Sequence, residues 1–173
     1  MRQTLTVAEV EPGDSIGELA IPITRTLIVA GAIASRDYQD VHHDHELAHE
    51  RGSPDIFMNI LTTNGLVGRY VTDWAGPAAR LVDVDIRLGA PNYPGDTMVM
   101  RGRVAEVDRS SGAVVVALQG SNQLGDHVTG TVRLILPGAV AGASPHTGSV
   151  PGTGVGTATG SDGRADDGHE ERT

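Results

Sequence analysis

The sequence predicts an α+β domain in which an antiparallel sheet curls around one long helix. Three observations carry this. The longest helical pattern lies between Asp55 and Gly76-Pro77, four strand-like stretches follow it without interruption, and marked turns separate those stretches. Within the helical stretch Ile56, Ile60, Val67, Tyr70, Val71 and Trp74 recur mostly three, four or seven apart, while Phe57, Leu61 and Leu66 widen the apolar surface beyond one stripe. A helix of that span would be about 30 Å long and would hold the only tryptophan.

The strands are expected at Leu81–Arg87, Met98–Val104, Ala113–Leu118 and Val128–Leu136. Pro94-Gly95-Asp96, Ser110-Ser111-Gly112 and Leu124-Gly125-Asp126 form the turns between them. Ahead of the long helix, Thr4–Val10 and Ile23–Ile28 read as short strands and Val29–Ser35 as a short helix. Asp44 is placed to cap a brief helix ending near Glu50, before Gly52 and Pro54. From Pro137 the composition turns to Gly, Ala, Ser, Thr and Pro, so the expected division is a domain over 1–137 and a disordered acidic tail over 138–173. His146 and His169 fall in that tail and are not site candidates.

Composition removes several chemistries. The formal charge of −9 argues against a nucleic-acid partner. There is no cysteine, hence no thiolate nucleophile, disulfide or Cys-ligated zinc. All thirteen cations are arginine, so lysine Schiff-base chemistry and a P-loop are also excluded. The longest apolar run, Leu27 to Ala34, is far short of the ~20 residues that span a membrane, and the N-terminus has no apolar signal-like segment. The expected compartment is the cytoplasm.

Chemistry is concentrated in Ser35–His49, which holds four of the seven histidines together with Asp37, Asp40, Asp44 and Glu46. Asp37 and His42, five residues apart, are the candidate catalytic pair, an acid and an imidazole able to hold a water and manage its proton. Read blandly, the same two residues are a turn aspartate and a surface histidine. His45-Glu46-Leu47-Ala48-His49 spells H-E-x-x-H, a zinc pattern when carried on a long helix. Here the carrying helix is short, no third histidine follows until His127, and the sheet comes after the motif, so no metal is expected. Trp74 and His127 read as structural. Arg69, Arg80, Arg87, Arg101 and Arg103 offer cations for phosphates but are scattered, as solvated arginines are.

Four segments together resemble the MaoC-like (R)-specific enoyl-CoA hydratases. Asp37-Tyr-Gln-Asp-Val-His42 stands where that family has D-x-N-P-[LIV]-H, continued by Asp44 and Ala48. Gly52–Leu61 stands at G-x-P-I-x-H-G-M, and Arg87–Asp96 at the strand and turn ending P-G-D. Within the family the chain looks most like the small subunits of actinobacterial steroid (cholesterol) side-chain hydratases, through Arg36–Asp44, Asp55–Leu61, Tyr70–Pro77 and Leu124–Val128. Departures are Gln39 and Asp40 for the family's Asn-Pro, Arg36 for the glycine before the Asp, and no His-Gly at the helix start.

The resemblance implies a hotdog fold over roughly 20–136 and hydration of a 2-enoyl-CoA with Asp37 and His42 holding the water. It also implies the Asn59 backbone N–H as oxyanion donor, no metal or redox cofactor, and a heteromer (α2β2) with a larger MaoC-like chain. A hotdog acyl-CoA thioesterase, or a non-catalytic hotdog completing a partner's acyl pocket, are the rival readings.

Overall fold

The computed structural model describes residues 3–139. Five strands form one antiparallel sheet: β1 (Ser15–Pro22), β2 (Arg80–Leu88), β3 (Thr97–Asp108), β4 (Ala113–Asn122) and β5 (Gly125–Ile135), in the order β1-β3-β4-β5-β2. Three helices precede β2: α1 (Arg25–Ala34), α2 (His45–Glu50) and α3 (Ile60–Ala75). The tail expected from 138 onward lies outside the described residues except for Gly138 and Ala139.

The four strands expected after the long helix are all present. In β4 the period of two decides which side chains are inside: Val114, Val116 and Leu118 are buried, while Val115 and Ala117 turn outward. With Met98, Met100 and Val104 of β3 and Val128, Val132 and Leu134 of β5, they make the face on which α3 lies. From α3 come Thr63, Val67, Tyr70, Val71 and Ala75, spaced four, three, one and four apart. Trp74 is half-buried against this core, as expected of a packing residue.

Three expectations fail ahead of the sheet. The long helix starts at Ile60, not Asp55, so its sixteen residues span about 24 Å. The N–H groups of Phe57 and Met58 are taken by the carbonyls of Val41 and Asn92, which holds this stretch in irregular backbone although its side chains keep a helical spacing. Asn59 is the true cap, its Oδ1 accepting the Thr62 N–H at 3.0 Å. The strand expected at Ile23–Ile28 is also displaced. β1 runs from Ser15 to Pro22, and Thr24 Oγ1 caps α1 by accepting the Leu27 N–H, so β-branched Ile23 and Ile28 flank a helix start rather than lie in a strand. Thr4–Val10 holds no strand but a single 3-10 turn at Val7–Glu9, because Glu9 folds back to accept the Thr6 N–H.

Close packing of α1 on α3 sets up the site. Gly31 of α1 lies against Thr62 of α3, where a Cβ would fall well inside van der Waals contact. α1 then ends in a Schellman arrangement: the Arg36 N–H reaches the Ile33 carbonyl and the Asp37 N–H reaches the Ala32 carbonyl. Arg36 takes the left-handed position (φ 57°), the only non-glycine at positive φ among the described residues. An arginine there costs roughly 1–2 kcal/mol relative to a right-handed conformation. The motif fixes where Asp37 leaves the helix.

His127 sits on β5, 1 % exposed. Its Nδ1–H donates to the Ala90 carbonyl at 2.7 Å and its Nε2 accepts from the Thr63 hydroxyl at 2.8 Å, which confirms a structural role. Burial pushes its pKa below the ordinary 6.5, against the Ala90 bond, which acts upward. The folded chain therefore resists protonation that the unfolded chain accepts. Its contribution to stability is complete above about pH 6.5 and is lost as pH falls toward the depressed folded value. The melting temperature should accordingly drop between pH 7 and 5.5, and His127→Gln should flatten that stretch of the curve. A wild-type melting temperature flat over this range would refute it.

Candidate active site

Asp37 and His42, joined in the sequence only by spacing, are brought face to face. His42 lies in a 3-10 turn at Asp40–His42, directly before Asp44 caps α2 through the Leu47 N–H. Its Nδ1 is 2.7 Å from the Phe57 carbonyl, and its ring stands edge-on to Phe57 with centroids 5.0 Å apart. A carbonyl can only accept, so Nδ1 carries a proton, and in the neutral ring Nε2 presents its lone pair. That Nε2 points at Asp37 and stands 3.4 Å from Oδ2. The two side chains retain 7 % and 17 % of their exposure.

Asp37 is held as a carboxylate. The Asn59 Nδ2–H donates to Oδ2 at 3.0 Å, the Gln39 N–H approaches Oδ1 at 3.4 Å, and His42 faces it. These lower its pKa below the ordinary value, the Asn59 bond most of all, against a desolvation that acts upward. With the His42 ring neutral, the Asp37 oxygen and the imidazole nitrogen 3.4 Å from it are two acceptors side by side. One water can satisfy both by donating a hydrogen to each, which is the arrangement from which a water can be deprotonated.

Asn59 belongs to the site in two ways. Its backbone N–H meets no acceptor among the described residues and lies just ahead of the first turn of α3, where donors are unpaired and the helix dipole favours negative charge. Its side chain, which the sequence reading did not single out, touches Asp37 directly. The signal was present: an asparagine three residues before Thr62 is a capping pattern, obscured when the helix is begun at Asp55.

The H-E-x-x-H stretch is elsewhere occupied. His45 and His49 lie on α2, six residues long, both exposed and edge-to-face with centroids 4.4 Å apart. His45 Nδ1 is 2.9 Å from Asp55 Oδ1, and Asp55 is clasped at both oxygens by Arg25 at 2.9 and 2.7 Å. Chiefly that arginine, with His45 and the Ile56 N–H, holds the Asp55 carboxyl far below the usual range. Among the described residues no three His, Asp or Glu side chains are grouped to hold a metal ion. Of the arginines weighed for phosphate binding, Arg69 and Arg101 pair with Asp73 and Glu18. The Tyr93–Asp96 turn forms as expected, Asp96 Oδ2 accepting the Tyr93 N–H at 2.8 Å. Among the described residues no helix is long and apolar enough to cross a membrane.

Comparison with known proteins gives the chain a family and a fold. A family model described as MaoC like domain matches residues 7–123. The chain is 51% identical over 122 residues to the 3-oxo-4,17-pregnadiene-20-carboxyl-CoA hydratase beta subunit of Mycobacterium tuberculosis, a match covering 70% of this chain and 93% of that relative. It is similar to the crystal structure of the ChsH1-ChsH2 complex from the same organism, with TM-score 0.70 and 49% identity over 73% of this chain and 98% of that one. A third likeness, to the R-hydratase PhaJ1 of Pseudomonas aeruginosa, has TM-score 0.72 at 22% identity, covers 88% of this chain and 97% of that one, and speaks for the fold alone. The chain belongs to the MaoC-like domain family and carries its hotdog fold.

Proposed function

We propose that the chain is the small subunit of a 2-enoyl-CoA hydratase, adding water across the α,β double bond of an acyl-CoA thioester. The single observation that carries this is the pairing of Asp37 Oδ2 with the lone-pair nitrogen of His42 at 3.4 Å, two acceptors suited to one water. In the reaction the thioester oxygen lies at the Asn59 backbone N–H, and the positive end of α3 stabilises the charge that builds there as water attacks C3. The dyad takes the proton from that water and returns one to C2, so the pair ends the cycle in its starting state. The named relative acts on a steroid carboxyl-CoA, and the substrate we propose is likewise a steroid side-chain enoyl-CoA. The ChsH1-ChsH2 likeness supports a heteromer as the working form, and the resemblance to steroid-type small subunits supplies its larger MaoC-like partner and α2β2 stoichiometry. Its place is the cytoplasm.

Incubation with an enoyl-CoA tests the reaction. Loss of enoyl absorbance without release of free CoA is the expected result; release of CoA would make the protein a thioesterase, and neither change would leave it a non-catalytic partner. Because His45 is committed to Asp55 and the dyad needs only water, prior treatment with EDTA should leave turnover unchanged. Stoichiometric zinc in untagged protein, with activity lost on chelation, would overturn this part of the reading.

A further inference from the structure

The carboxamide of Asn59 is 2 % exposed and makes three hydrogen bonds whose directions are forced. The Thr62 N–H can only donate, so the atom 3.0 Å from it is Oδ1. On the other side Nδ2 lies 2.9 Å from Ser35 Oγ, and Ser35 gives its own proton to the Gly31 carbonyl at 2.7 Å, leaving its oxygen as acceptor. With both ends settled, the remaining Nδ2–H must point at Asp37 Oδ2, 3.0 Å away. Capping α3 needs only a side-chain acceptor, which Ser, Thr or Asp supplies as well as Asn. The donating half of the amide is surplus to the helix and is spent on the dyad.

We infer that the Asn59 side chain, seated by Ser35, is a positioning residue that holds the Asp37 carboxylate in the pose facing His42 Nε2. The oxygen it grips is the one facing the imidazole, so a free rotation of the Asp37 carboxyl would break the Asn59 bond and the water site together. Helix α1 delivers Ser35 and Asp37, helix α3 delivers Asn59, and the amide is the tie between the two elements at the point where chemistry occurs. His42 is the titratable group facing Asp37; Asn59 and the Gln39 N–H face it as uncharged donors. The inference rests on the hydratase reading above.

The test uses the full chain, co-purified with the larger MaoC-like subunit, and a 2-enoyl-CoA. Asn59→Ser keeps a helix cap and removes the amide. It is expected to lower kcat about tenfold or more, to move KM less than about threefold, and to shift the acid limb of the kcat/KM profile upward by about half a pH unit or more. Asn59→Asp also keeps the cap but places a like charge against Asp37, and should shift that limb further. Combined with Asp37→Asn, Asn59→Ser should add less than about a twofold loss, since it acts through Asp37. Ser35→Ala, which leaves the cap untouched, should show a smaller change in the same direction and carries the test should the Asn59 variants misfold. Wild-type kcat with an unmoved acid limb in Asn59→Ser, or in Ser35→Ala where that variant must decide, overturns the inference, as does a loss that multiplies on Asp37→Asn. A fully active Asp37→Asn would instead remove the dyad from the reaction, and the positioning role with it.

Discussion

Asp37→Asn and His42→Ala are each expected to lower enoyl-CoA hydration at least about 100-fold, the low end of what a general acid–base group supplies. Asp37→Asn is the cleaner of the two. An asparagine there can keep the Asn59 Nδ2–H on its one oxygen and gives up only the longer Gln39 N–H contact, so the cap of α3 is left as it is. What it lacks is basicity, and one of the two acceptors of the water becomes indifferent to its proton. His42→Ala removes the second acceptor, but it also strips the Phe57 carbonyl of its donor and opens space beside the Phe57 ring. An unpaired buried carbonyl costs about 1–3 kcal/mol, so this variant should melt lower while remaining folded. Circular dichroism and thermal melting alongside the absorbance assay separate the two effects. Near wild-type turnover in either variant would remove the dyad from the mechanism.

The pH behaviour of the same pair has a definite sign. Asp37 is held below the ordinary carboxylate pKa in the folded chain, chiefly by the Asn59 donor. Its interactions therefore stabilise the fold above about pH 4 and are lost as pH falls further, well below the range in which His127 acts. Acid loss of stability should come in two stages, the earlier one belonging to His127 and the later one shared by Asp37 with the other lowered carboxyls, Asp55 and Asp108.

The parts that were legible in the sequence are those where local pattern and tertiary structure agree. Strand β2 alternates in sequence, β4 is a continuous apolar run whose burial alternates between the α3 side and the outer face, and the turns between the strands contain the glycines they need. Asp44 caps α2 by local chemistry alone, and Asp37 and His42 were visible through their spacing. The failures share a cause. Residues 55–58 keep helical spacing, but the N–H groups of Phe57 and Met58 and the Asp55 carboxylate are claimed by Val41, Asn92, Arg25 and His45, all at least ten residues away. No window of neighbouring residues contains that information. The same displacement concealed the Asn59 side chain, since a residue placed inside a helix is not read as its cap.

Isolated from a partner, the chain is expected to be poorly soluble or inactive, and co-expression with a larger MaoC-like chain should restore both. Among the described residues the sheet has two open edges, β1 and β2, and an unpaired edge presents backbone donors and acceptors that invite another strand. On β2 the consecutive residues Leu81 and Val82 are 40% and 46% exposed, so apolar side chains stand exposed along that edge. Around the dyad the picture repeats: Tyr38 follows Asp37, Ile60 and Leu61 follow Asn59, and Ile33 lies shortly before Ser35, all exposed. A single hotdog thus leaves apolar surface beside its own reacting groups, where an acyl chain would be open to water on one side. A specific interface of ordinary size covers about 800 Å² on each partner, enough to bury an edge strand with its neighbouring side chains. A non-identical partner can cover that surface while leaving room for a polycyclic acyl group that two equal copies would crowd. Light scattering and the hydration assay on the chain by itself, then on the co-expressed pair, decide the matter. Aggregation or silence alone and an active pair of unlike chains is the expected outcome; a stable homodimer with full activity toward a steroid-like enoyl-CoA would dispose of the heteromer and leave the dyad chemistry standing.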